Sequence, residues 1–310
     1  MPIGTPNPDE LTTDLQWRVF TATRPGLTRD VPPGYESLMW VANSATLIYG
    51  EQDAVLVDTF LTRDQNADLA DAVAATEKNL THIYITHAHG DHFFGINLIR
   101  ERFPNARAVA TASVVDRMAT EISPQQLDGR WRKVFPGQIP DKPVIADSLD
   151  GAALKLEGHA LIPIDTGFTD TADTTSLHVP SSGLIVAGDA VYNGIHPYQG
   201  ETTPHTRLEW ITALDELEAL EPRTVIAGHK IPSNDDTPDN ISQTRRYLRD
   251  FIRLDQTTDT PRALFDAMIT LYPERANIGS LWGAATTVKT QAANGSPDSA
   301  TSTAATERSF

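Results

Sequence analysis

The chain has 310 residues, 40% of them hydrophobic and 21% charged, with a formal charge of −16 at pH 7 and no cysteine. That composition belongs to a globular protein with a sizeable core. The acid excess argues against a nucleic-acid partner or an anionic membrane surface, since both need clustered Lys and Arg. The lack of cysteine excludes disulfides, thiolate metal ligands and a thiol nucleophile.

Residues 1–36 read as an irregular N-terminal arm rich in Pro and Thr. The first sixteen residues lack the basic start and apolar stretch of a secretory leader. No run approaches the ~18 apolar residues of a membrane span. A cytoplasmic protein is the expectation, with a homodimer open. From residue 38 the pattern turns to β, with Leu38-Met39-Trp40-Val41, then Ala45-Thr46-Leu47-Ile48-Tyr49, then the unbroken apolar run Ala54-Val55-Leu56-Val57 closed by Asp58. Helix is expected over 63–79 and 91–102, the latter stopped before Pro104, with a strand over 81–86 between them. A strand and helix follow over 106–118. Residues 121–147 carry four prolines without periodicity and read as an inserted cap. Strands are expected over 153–157, 160–165, 174–179 and 183–187, with the turn Pro180-Ser181-Ser182-Gly183 joining the last two. A helix over 205–220, a strand over 224–227 and two helices over 237–273 complete a domain spanning 37–275. Residues 276–310 form a C-terminal extension, whose last ~20 residues read as disordered from their Ala, Thr, Ser and Asn content.

Three strand ends carry the chemistry. His87-Ala88-His89-Gly90-Asp91-His92 follows Ile83-Tyr84-Ile85, Gly188-Asp189 follows Leu184-Ile185-Val186-Ala187, and Gly228-His229 follows Val225-Ile226. Imidazole nitrogens and carboxylate oxygens suit a borderline cation such as Zn²⁺, and strand ends hold ligands rigidly. This set, in this order, resembles the metallo-β-lactamase superfamily over most of residues 37–260. The resemblance implies an α/β fold, a four-layer αβ/βα sandwich of two mixed sheets packed face to face with helices outside. It implies one metal on Asp91, His92 and His229, a second on His87 and His89, Asp189 bridging them, and Asp58 supporting the ligand loop from behind. One position departs. The family's Gly-His-(Thr/Ser) segment aligns with Gly167-Phe168-Thr169, and phenylalanine cannot ligate. Three consequences are open: a mononuclear enzyme, a substitute carboxylate such as Asp170, or altered or lost activity. A carboxylate ligand would favour harder ions. The cofactor expectation is therefore one or two Zn²⁺ per chain, with Mn²⁺ or Fe²⁺ as alternatives.

A metal in such a site brings the pKa of its bound water towards 7, which makes attack by metal-bound hydroxide the natural chemistry. Asp91 is the candidate for orienting the nucleophile and carrying its proton. Tyr192, three residues after Asp189, resembles the phenol of the lactone-opening branch, which donates to the substrate carbonyl. His196 is a candidate acid for the leaving group. Trp131, Phe135, Phe168 and Tyr198 are expected to line the substrate pocket, while Arg130, Arg132 and Lys133 read as a solvated turn. The leading expectation is a hydrolase of a neutral or weakly charged small ester or amide, with a lactone first. The alternatives are a lyase or rearranging enzyme on the same fold, or a binding protein with reduced catalysis because of Phe168.

Overall fold

The computed structural model describes residues 14–25, 35 and 39–293. The disorder expected for the last residues, and most of the expected N-terminal arm, lie outside them. Among the described residues the strands form two sheets. The first holds β1 (Gln16–Pro25), β2 (Met39–Tyr49), β3 (Asp53–Val57), β4 (Asn79–Tyr84), β5 (Arg107–Ala110), β6 (Asp147–Ser148), β11 (Tyr192–Asn193) and β13 (His229–Lys230). Its order is β11-β13-β2-β3-β4-β5-β6, with β1 paired antiparallel to β2. The second sheet runs β12 (Thr224–Ile226), β10 (Leu184–Val186), β9 (Thr174–Val179), β8 (His159–Gly167) and β7 (Leu154–Leu156). β3, β4 and β5 are parallel neighbours, as are β10 and β12.

Strand periodicity builds the layers. In β3, Val55 and Val57 point between the sheets, where they join Ile48, Tyr84, Leu177, Leu184, Val186 and Ile226. Their neighbours Ala54 and Leu56 point outward into a cluster with Leu69 and Val73 of α1 (Arg63–Ala74) and Ile96 and Ile99 of α3 (Ile96–Arg102). α4 (Ala112–Glu121) leads into the cap, where α5 (Pro124–Gln126) and α6 (Arg132–Val134) flank a π-helical turn over Leu127–Trp131. Ile185 and Val225 face the other way, onto Trp210 and Leu214 of α7 (Pro204–Glu218) and Leu248 of α8 (Asp239–Thr257). With both faces of each sheet covered, the strands read as continuous apolar runs. The result is the expected αβ/βα sandwich.

Two segments differ from the sequence reading. The expected irregular arm contains β1, which pairs with β2 residue by residue from Gln16 opposite Tyr49 to Ala22 opposite Asn43, with a register shift before Arg24. Arg18 breaks its apolar pattern, as suits a strand at a sheet margin. The C-terminal extension contains α10 (Ile278–Ala293), which packs with α9 (Pro261–Leu271) through Leu281, Ala284 and Ala285 against Phe265 and Met268. Its Ala- and Thr-rich pattern carries only a weak helical stripe. Among the described residues no helix is long and apolar enough to cross a membrane.

Candidate metal centre

The ends of β3, β4, β8, β10 and β12 meet at one edge of the sandwich, the carboxyl end of its parallel strands, where ligand sites on open α/β sheets gather. After β4 the chain passes through Thr86 and His87 into the four-residue turn α2 (Gly90–Phe93), so that His87, His89, Asp91 and His92 converge. Asp189 sits in a tight turn after β10, and His229 opens β13 just beyond β12. Two glycines make this crowding feasible. Gly188 has φ +53°, and a Cβ on it would lie 2.7 Å from Thr86 Oγ1. A Cβ on Gly228 would run into Asp189 Oδ1 and lie 2.8 Å from the carbonyl carbon of Gly188.

Two ligand sets share this edge. His87, His89, Asp170 and Asp189 offer donor atoms within 4.8 Å of one another, as do Asp91, His92 and His229. Asp189 spans both: Oδ1 is 3.3 Å from His92 Nε2, and Oδ2 is 3.1 Å from His229 Nε2. His229 Nε2 also lies 3.7 Å from Asp91 Oδ2. All of these side chains are buried. His87 Nε2 and Asp189 Oδ1 have no hydrogen-bond partner. Buried unpaired atoms converging from imidazoles and carboxylates are what a divalent cation satisfies, so the donor set fits such an ion.

The residues behind the ligands fix their tautomers. Asp58, with φ +62°, accepts from Thr86 N and Thr86 Oγ1 at 2.8 Å each and lies 3.0 Å from His92 Nδ1. Since the Thr86 hydroxyl donates to Asp58, it accepts from His87 Nδ1 at 3.0 Å, which leaves His87 Nε2 for the site. Glu201 takes the same part for His89: its Oε1 lies 3.1 Å from Nε2, while Nδ1 points to Asp170 Oδ2 at 2.8 Å. Asn43 Nδ2 donates to Asp91 Oδ2 at 3.0 Å. Glu201 and Asn43 escaped the sequence reading because each is a lone residue, without a motif, on a distant segment.

Electrostatics follow this pairing. Burial opposes charge on His92, but Asp189, Asp58 and Asp91 raise it to about 10. Burial likewise opposes charge on His89, which Asp170 and Glu201 hold well above its ordinary value. His87, dominated by burial and next to His92, falls to about 4. Burial would raise Asp189, but His229 and His92 keep it well below the usual carboxylate range. Tyr192 is raised well above its ordinary value by burial and by Asp189, to which its hydroxyl donates at 2.7 Å.

A cavity of about 60 Å³ opens onto the site, walled by His89, Asp91, Asp189, Tyr192, Tyr198, His229, Arg130 and Trp131, with Asn277 and Ser280 at the start of α10. Tyr192, Tyr198 and Trp131 are therefore on its wall. Three other residues singled out from the sequence are not. Phe135 is fully buried behind Trp131, stacked on it at 6.0 Å within the helix-side core. His196 is fully buried and off the cavity wall, its Nδ1 2.9 Å from the Tyr247 hydroxyl; burial and Arg275 push it down to about 3, which favours the neutral ring over an imidazolium acid. Phe168 lies in an open hollow with Asp165, Glu209 and Glu216 on the far side of β8. The register of β8 against β9 shifts between Asp165 and Gly167, and Gly167 has φ +58°, which turns Phe168 outward. Asp170, held through Oδ1 by Thr169 Oγ1 at 3.0 Å, is the residue of this loop that reaches His87 and His89. Arg130, read from sequence as part of a solvated turn, is on the cavity wall.

Comparison with known proteins agrees with this architecture. A metal-dependent hydrolase of the UPF0173 group from Staphylococcus carnosus (strain TM300) is 33% identical over 86 residues, 26% of this chain and 35% of that protein. The uncharacterized protein YobT of Bacillus subtilis (strain 168) is 26% identical over 149 residues, 46% of this chain and 60% of that protein. The chain thus spans about a third and three-fifths of the lengths of these curated relatives. Among solved structures, a β-lactamase domain protein of Burkholderia ambifaria superposes with TM-score 0.60 at 14% identity, over 89% of this chain and 87% of that one. A metallo-β-lactamase family protein of Thermus thermophilus gives 0.58 at 18% identity, over 89% and 93%. At such identities the likeness is one of fold. The family profile described as metallo-beta-lactamase superfamily matches residues 38–229, from the start of β2 to His229 itself. As that stretch is more than half the sequence and runs through every strand end that gathers at the site, the chain belongs to the metallo-β-lactamase superfamily.

Proposed function

We propose that the protein is a metal-dependent hydrolase of a small ester or amide, with a lactone first among substrates. The observation that carries this reading is the pair of ligand sets, one of them His87, His89 and Asp170 and the other Asp91, His92 and His229, that share Asp189. Bound to these residues, divalent cations supply Lewis-acid chemistry, polarising a carbonyl and acidifying water. The first set is richer in oxygen than one built on three imidazoles, so Mn²⁺ and Fe²⁺ compete there with Zn²⁺.

The chain's own groups then divide the remaining tasks. Asp91, oriented by Asn43 and facing the cavity, accepts the proton of the attacking water. Tyr192 keeps its proton and acts as a donor on the cavity wall. Its single O–H donates to Asp189 here; freed from that bond when Asp189 holds a cation, it is the phenol available to a carbonyl oxygen as negative charge develops there.

Elemental analysis of the purified protein, paired with hydrolysis of a panel of lactones, aryl esters, thioesters and β-lactams, tests the reading. Metal bound in a ratio near one or two, with turnover lost in D189A, supports it. A metal-loaded protein that turns over no member of the panel overturns it.

A further inference from the structure

Arg130 stands out in a chain with so many more acids than bases. It sits on the π-helical turn (Leu127–Trp131) of the cap, with its guanidinium 4.9 Å from the Trp131 ring and beside the Tyr198 hydroxyl. Glu121 and Glu201 are close enough to influence it, yet no described carboxylate comes within ion-pair distance of it. Both acids are engaged elsewhere: Glu121 accepts from the Trp131 indole N–H, and Glu201 holds His89 and the Thr171 hydroxyl. A guanidinium on the wall of a site, free of a carboxylate partner, is a ready anion receptor.

The same cavity is bounded by the start of α10. The dipole of a helix favours negative charge at its start, where the first N–H groups lack an acceptor one turn back; here the Ser280 N–H is already donated to Asn277 O at 3.0 Å, which leaves the Ser280 hydroxyl as its free donor. Ser280, in the first turn, is 6% exposed and lines the cavity, and its hydroxyl makes no hydrogen bond among the described residues. Asn277 Oδ1, at the residue before the helix, is buried and also without a partner, so the side chain does not cap the helix. These groups and Arg130 line the same cavity.

We infer that the cavity selects substrates bearing a carboxylate, bound between Arg130 on the cap and Ser280 in the first turn of α10, with the scissile carbonyl over the Asp91 and Asp189 side. This deepens the hydrolase reading and rests on it. It also narrows the neutral or weakly charged substrate expected from the sequence to an anionic one, because local charge at the wall decides recognition. Arg130 is then a specificity-determining residue, and substrate preference is set by the cap.

The test compares 4-nitrophenyl monoesters of succinate and glutarate with the neutral butanoate and pentanoate esters, on metal-loaded wild type, R130Q, R130K and S280A. The expected result is a preference for the anionic esters in kcat/KM, carried mainly by KM. In R130Q that preference falls by about ten- to a hundred-fold, the scale of a charge-assisted hydrogen bond, while R130K retains part of it and S280A loses less. A wild type without preference for the anionic esters, or an R130Q whose preference matches wild type, overturns the inference. If no ester is turned over, the hydrolase reading fails by itself, and calorimetry with glutarate against butyrate decides the anion site. Coordination by one carboxylate is common to both ligands, so tighter glutarate binding that disappears in R130Q supports the site, and equal binding of the two overturns it.

Discussion

Asp58 offers a sharp test of how the site is held. Its carboxylate is buried, sits on a left-handed residue, and serves three donors: Thr86 N, Thr86 Oγ1 and His92 Nδ1. In Asp58→Ala, Thr86 N–H and His92 Nδ1–H lose their acceptor inside the protein, while the Thr86 hydroxyl can rotate towards His87 Nδ1. Two buried donors left unmatched at ~1–3 kcal/mol each give a loss of about 2–6 kcal/mol. That is a large share of the roughly 5–15 kcal/mol that keeps a domain folded. Asp58→Asn separates the two duties of the residue. Asn tolerates the left-handed backbone, and its amide oxygen can still accept from Thr86 N–H. Its amide nitrogen then faces His92 Nδ1–H, donor against donor, which disturbs the tautomer that leaves His92 Nε2 for the site. Asp58→Asn should therefore cost only ~1–3 kcal/mol in urea unfolding but about 10–100-fold in Zn²⁺ affinity, measured by competition with a chelating dye. An Asp58→Asn protein that binds Zn²⁺ within twofold of wild type would refute the claim that Asp58 works through the histidines.

Asp170→Ala should release the metal held with His87 and His89, whereas Phe168→His should leave metal content unchanged because position 168 faces away from the site; elemental analysis of both variants checks this. Gly228→Ala should abolish metal binding while the protein stays folded by circular dichroism, since a methyl group there has nowhere to go but into Asp189 and the Gly188 backbone. Glu157 accepts from the N–H groups of Glu51, Gln52 and Asp53 at 2.7 Å each, and these bonds hold its carboxyl below its ordinary value of 4.5. Because the folded-state value is the lower one, the clasp stabilises above the unfolded value and is lost as pH falls through the folded value. Glu157→Gln should thus lower Tm at pH 7, with the difference from wild type closing as pH drops below about 4.

The strand ends were readable from sequence because the same residues carry two signals at once. Val55-Leu56-Val57 before Asp58, Ile83-Tyr84-Ile85 before His87, and Leu184-Ile185-Val186-Ala187 before Asp189 are each a buried strand by composition and a ligand by termination. β1 was missed because both of its faces are only partly buried, Trp17 and Val19 against the core between the sheets and Phe20 and Ala22 against the helix-side core, so no alternation marks it off from an arm. α10 was missed because Ala, Thr and Gly dominate it, and its place comes from packing on α9. The position of Phe168 was misread for a subtler reason. Alignment by motif counts residues, but the irregularity between Asp165 and Gly167 changes which residue of the loop turns inward. One residue of slippage in a strand reverses its faces, and only the folded loop shows that Asp170 has taken the inward place. Glu201 and Asn43 had no pattern to betray them, since each acts alone from a segment remote in sequence, and Arg130 was visible only as one of three basic residues in a turn.

The division of the ligands between the sheets explains why this arrangement is sensitive to parts of the core that touch no ligand. The first sheet supplies His87, His89, Asp91, His92 and His229, while the second supplies Asp170 and Asp189. The first sheet alone brings Asp91, His92 and His229 together, but the set with His87 and His89 needs Asp170 and the shared Asp189 from the second, so the spacing between the two sets of ligands is the spacing of the sheets. That spacing is fixed right behind the ligand loop by one residue of β9: Thr175 donates its N–H to Thr86 O at 2.9 Å and its hydroxyl to the same carbonyl at 2.7 Å, and the Tyr84 hydroxyl lies 2.8 Å from Thr175 Oγ1. Below it, Val57, Tyr84, Val186 and Ile226 fill the gap between the layers. Because a close-packed interior does not stretch continuously, a change in that gap moves Asp170 and Asp189 together relative to the five first-sheet ligands. The hydrophobic layer is thereby part of the metal site, and the buried polar tie at Thr175 is where the two become one structure.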